Sequence, residues 1–144
     1  MQMILLDNQT DYKINLQFLE KIANYLKVDR DIELLIVNNN TIKSLNQEYR
    51  GIDKETDVLS FPLEGIGDLP LGSIVISIDK AKEISTKLGH SIDDELALLF
   101  IHGLLHLLGF DHEVDNGEMR DNEERVIKEF NLPLSLIVRN QGGV

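Results

Sequence analysis

The sequence predicts an α+β fold: a single domain over residues 1–144, with a small mixed β-sheet packed by about five helices. Three observations lead there. The length is that of one ordinary domain. Short apolar runs of strand length come early and are interspersed with segments of helical periodicity. One stretch, Leu96 to Leu108, is apolar nearly all round, as a buried central helix must be.

The elements follow in order. Met3 to Leu6 reads as a short strand. Leu16, Leu19, Ile22, Ala23 and Leu26 recur at helical spacing, so an amphipathic helix is expected over Asn15 to Lys27. Ile32 to Val37, between Asp31 and Asn38, reads as a buried strand. Asn40 or Thr41 can cap a helix bearing Ile42, Leu45 and Tyr49 on one face. After a polar connection from Arg50 to Thr56, Asp57 to Phe61 forms a strand halted by Pro62. Glu64 to Pro70, with two glycines, is a loop, and Gly72 to Ile78 is the clearest strand of the chain. Ala81, Ile84 and Leu88 mark a helix ended by Gly89. Ser91 opens the central helix with Asp94 as its capping partner, and Gly109 ends it. Asn116 to Phe130 reads as a solvated helix supported by Asp121/Arg125 and Glu124/Lys128 pairs.

Composition narrows the chemistry. With no cysteine there are no disulfides or thiolate ligands, so a metal site has to be built from His, Asp or Glu. Lys plus Arg is 14 against 25 Asp plus Glu, a net charge of −11. So acidic a chain grips nucleic acid poorly through phosphate neutralisation alone, and no DNA partner is expected. The N-terminal apolar run is short and lacks preceding basic residues, and no stretch approaches the ~20 apolar residues of a membrane span. A soluble, cytoplasmic protein without membrane contact is the expectation.

Three of the four histidines fall within eleven residues: His102-Gly103-Leu104-Leu105-His106-Leu107-Leu108-Gly109-Phe110-Asp111-His112. His102 and His106, at i and i+4 on a helix, project from one face about a turn apart. Gly109 can take a left-handed conformation that turns the chain back and brings His112 to the same ion. Three neutral imidazoles suit Zn²⁺, one per chain, and leave a fourth position open, which is the catalytic arrangement. The same spacing occurs in the metzincin peptidases, where the residue after the first histidine is a glutamate acting as general base. Here that residue is Gly103, which cannot move a proton.

The stretch from His102 to His112 resembles the signature of the YbeY family. Leu45 to Gly51 followed by Thr56 to Pro62 resembles the family's second block, and Leu71 to Ser77 its L-G-D-I-x-I-S strand, with Ser73 where an aspartate is usual. The resemblance implies a metal-dependent, single-strand-specific endoribonuclease of ribosomal RNA maturation, acting at the 16S 3′ end and in ribosome quality control. It further implies zinc at the three histidines, the small ribosomal subunit or its proteins as partner, and Arg50 as a functional arginine facing the cleft.

On the residues alone, Arg50 can clamp a phosphate bidentately or merely offset a helix macrodipole. Asp111 can orient a histidine, accept a proton, or serve as a turn residue. His90 reads as a loop residue with RNA contact as the lesser option, and the acidic run from Asp111 to Glu124 reads as a solvated face. Two rival functions are a zinc peptidase or amidase, and a ribosome-assembly factor whose zinc only stabilises the fold.

Overall fold

The structure is a computed structural model and describes residues 3–63, 69–110 and 117–133. Within these run β1 (Ile4–Asn8), α1 (Leu16–Tyr25), β2 (Ile32–Val37), α2 (Asn39–Arg50), β3 (Val58–Pro62), β4 (Gly72–Ser77), α3 (Ile78–Leu88), α4 (Ile92–Leu107) and α5 (Glu118–Phe130). The strands form one sheet in the order β1-β2-β4-β3, with β3 antiparallel to β4 and the other pairs parallel. This is the α+β architecture with a mixed sheet that the sequence predicts.

Strand alternation gives the sheet two unlike faces. Ile4, Ile32, Leu34, Ile36, Ile74 and Ile76 are all buried on one face, in a core shared with α1, α3, α4 and α5. The other face carries Val37, Leu59 and Val75, which pack with Ile42 of α2 in a smaller core bordered by Leu35, Leu45 and Phe61. Helix α4 is the central element: every residue from Glu95 to Leu105 is buried. Among the described residues no helix is long and apolar enough to cross a membrane.

Several boundaries differ from expectation, each for a local reason. β1 runs on to Asn8 because Asp7 and Asn8 pair with Leu35 and Ile36 of β2. α1 stops at Tyr25 because Lys27 adopts a left-handed conformation (φ +59°). α2 starts earlier than Asn40, because Asn38, still extended at the end of β2, caps it by accepting a 2.9 Å bond from the Thr41 amide. β3 includes Pro62, which an edge strand tolerates since no ladder bond is lost on its outer side. β4 ends at Ser77, which caps α3 directly. Ser91 caps α4 as expected, accepting from the Asp94 amide at 3.0 Å. α5 begins at Glu118, after Gly117 with φ +100°. Its polar contacts include Arg120–Glu124 at 3.4 Å and Arg125 donating to Asn122 at 2.7 Å, and neither expected pair forms among the described residues.

Candidate metal centre

Helix α4 carries His102 and His106 one turn apart, and the two rings converge. Their Nε2 atoms are 3.3 Å apart, with ring centroids 4.8 Å apart and planes at 79°. In a tetrahedral zinc site with N–Zn bonds of about 2.0–2.1 Å, two ligand nitrogens lie about 3.3–3.4 Å apart. The pair therefore already has the separation that a shared ion requires, and the donor set fits the ion.

What aims His102 is a residue the sequence did not reveal. Glu123 of α5 places Oε2 2.7 Å from His102 Nδ1, and both side chains are almost wholly buried. With Nδ1 turned to the carboxylate, the ring faces His106 through Nε2. A carboxylate behind an imidazole in this way fixes both the tautomer and the ring orientation of a metal ligand. The reading of the acidic run as a solvated face is thus corrected at Glu123, which is 1% exposed. Its signal was present in the spacing: Met119, Glu123 and Val126 stand at i, i+4 and i+7, and all three face the core.

Gly103 has a structural reason. A Cβ there would meet Ile74 Cγ2 at 2.9 Å and Ser60 Oγ at 3.1 Å, and Ser60 Oγ donates a 3.0 Å hydrogen bond to the Gly103 carbonyl. The position faces the sheet at close range, so a side chain serving as a peptidase base has no room. Beyond the histidines, the Gly109 amide bonds the His106 carbonyl and the Phe110 amide that of Leu105, with Gly109 at φ +99°. The helix is therefore stopped by a glycine in a conformation that costs other residues strain. His112 and Asp111 lie outside the described residues.

Arg50 is the last residue of α2, exposed, followed by Gly51 in the left-handed region. It makes no hydrogen bond or ion pair among the described residues. It belongs to the helix on the opposite face of the sheet from α4, and β3 runs between the two. His90 lies in the loop between α3 and α4, as expected, and is held there from within the protein. Its Nε2 lies 2.7 Å from Oε1 of Glu95, a residue with no exposed surface, so the ring is committed within the protein. Ser73 donates a 2.8 Å bond to Glu33 on the α2 face of the sheet.

Comparison with known proteins gives the family. The family described as Endoribonuclease YbeY matches residues 2–131. A protein of Nautilia profundicola named Endoribonuclease YbeY is 60% identical over 139 residues, covering 96% of this chain and 99% of its own. One of the same name from Helicobacter pylori strain P12 is 55% identical over 139 residues, with the same coverage. The solution structure of a Thermotoga maritima protein aligns with a TM-score of 0.59 at 28% identity, covering 90% of this chain and 92% of that one. By sequence along nearly its whole length, the chain belongs to the Endoribonuclease YbeY family.

Proposed function

We propose that this protein is a metal-dependent endoribonuclease that cuts single-stranded RNA in ribosomal RNA maturation, at the 16S 3′ end, with one zinc ion held by His102, His106 and His112. The observation that carries the reading is the convergence of two Nε2 atoms at 3.3 Å, one of them backed by a buried carboxylate. Family membership supplies the reaction class, and the absence of room at Gly103 speaks against peptidase chemistry.

When bound, such an ion supplies Lewis-acid polarisation of a phosphoryl oxygen and makes hydroxide available near neutral pH. The chain's own residues do the rest. Glu123 holds the His102 ring in register, and the packing of α4 on β3 through Gly103 and Ser60 fixes the helix that carries the ligands. Arg50, exposed and unpaired among the described residues, neutralises charge developing on the phosphate. The net charge of −11 suits docking on basic proteins of the small ribosomal subunit in the cytoplasm, which present the RNA.

The test joins metal content to cleavage. Protein purified without added metal should hold close to one zinc per chain, and His106→Ala should lose both the zinc and single-turnover cleavage of a short single-stranded RNA. Equal cleavage by the mutant and the wild type would mean a contaminating nuclease and would remove the reading.

A further inference from the structure

We propose that Tyr49 is a stacking platform for a base of the single-stranded RNA, set beside Arg50 and across β3 from the metal centre; this rests on the endoribonuclease reading above. Tyr49 is 63% exposed, the most open large apolar side chain among the described residues. The ring is nevertheless held in place. It packs edge-to-face on Phe61 of β3, with centroids 5.4 Å apart and an interplanar angle of 61°. A pinned aromatic ring with an open surface is what a nucleobase needs, since every base has a π-face and stacking is sequence-tolerant.

The charges around it point to the same ligand. Arg50 follows Tyr49 directly, and Lys54 lies just beyond Gly51, its carbonyl tied to Asn46 Nδ2 at 3.0 Å. Both side chains are exposed and make no ion pair among the described residues, whereas Lys43 is met by Asp53 and Lys80 by Glu55 and Glu83. An exposed aromatic ring followed at once in the chain by an arginine with no ion pair among the described residues fits a base with its phosphate better than an apolar protein segment. In a chain with a net charge of −11, affinity drawn from stacking also evades the weakness of phosphate contacts.

Position completes the case. Phe61, under Tyr49, is adjacent in β3 to Ser60, whose hydroxyl bonds the carbonyl of Gly103, the residue next to His102. One strand's thickness separates the platform from the helix bearing the histidines. That strand is at the sheet edge, so RNA can pass over it with a base on Tyr49 and a phosphodiester further along near the histidines.

The experiment is equilibrium binding, by fluorescence anisotropy, of the full chain to a labelled short single-stranded RNA and to its abasic counterpart. Tyr49→Ala should weaken binding to the intact RNA by roughly tenfold, as expected for loss of one stacked base. Tyr49→Phe should bind nearly as wild type does. On the abasic strand, wild type and Tyr49→Ala should bind alike. The Tyr49→Ala defect should persist as salt rises, whereas that of Arg50→Ala should shrink, because only phosphate contacts release counterions. Melting temperatures check that the variants fold. Wild-type binding of intact RNA by Tyr49→Ala overturns the platform and leaves the activity standing. A wild-type protein that neither binds nor cleaves single-stranded RNA removes the endoribonuclease reading, and the platform with it.

Discussion

Replacing Glu123 by glutamine keeps the volume and an acceptor oxygen but takes away the charge behind His102. The contact is 2.7 Å long and shielded from water on both sides, so solvent does not screen the change. Losing such an outer partner weakens metal affinity by about 10–100-fold, equivalent to about 1.4–2.7 kcal/mol. Glu123→Gln should fall near the lower end, because its carbonyl still accepts from Nδ1–H. Glu123→Ala should fall near the upper end and destabilise the fold as well, since it leaves a buried N–H unsatisfied at about 1–3 kcal/mol. Competition with a chelator of known affinity measures the zinc dissociation constant, and thermal unfolding of the metal-free protein reports the packing separately. A Glu123→Gln protein that holds zinc as tightly as wild type would refute the argument. Glu123 would then be a packing residue with no bearing on the ion.

Other substitutions separate the remaining roles. Arg50→Ala should leave zinc content and melting temperature nearly unchanged while cleavage falls by about a hundredfold, or ~3 kcal/mol of transition-state stabilisation, and Arg50→Lys should recover only part. Wild-type cleavage by Arg50→Ala would reduce Arg50 to a helix-end charge. Gly103→Ala forces a methyl group against Ile74 and should cost about 1–3 kcal/mol, seen as a fall of several degrees in melting temperature; an unchanged temperature would show that α4 can shift freely. Tyr12, whose hydroxyl donates to Asp93 at 2.6 Å, has its pKa raised to about 12 by burial and by that carboxylate. The fold thus favours the neutral phenol, a contribution fully present below pH ~10 and lost as pH rises towards 12. In an ultraviolet titration one of the three tyrosines should ionise late, and Tyr12→Phe should remove that late step; a late step that survives the substitution belongs to another residue.

The fold and the pairing of His102 with His106 were legible in the sequence for identifiable reasons. The leucine-rich run with Ser91 before it and Gly109 after it could only be a buried, capped helix, and i, i+4 spacing alone puts two imidazoles side by side. Glu123 was only partly legible: its spacing with Met119 and Val126 marks an inward face, but its burial depends on where α5 docks, a non-local matter, and it stands within an acidic run. His90 was legible as a loop residue, but its contact with Glu95 was not, since Glu95 is buried by the packing of α4 and not by local pattern. Three successive asparagines, Asn38 to Asn40, are all competent caps, and only the end of β2 decides among them. Ser60 and Tyr49 gave no signal of their own, because each acquires meaning from the face of β3 it meets.

That strand has a further consequence for how the sheet assembles. Ser60 and Phe61 point to opposite sides, one to the backbone of α4 and the other to α2. A slip of β3 by one residue against β4 would exchange them and drive the bulk of Leu59 or Phe61 at Gly103, where even a methyl group collides. Misregistered pairings are therefore rejected by the histidine-bearing helix itself, independently of the turn that joins the two strands. The length and composition of that turn are thereby freed from the task of setting the register, and insertions there can be tolerated while the strand stays locked in frame.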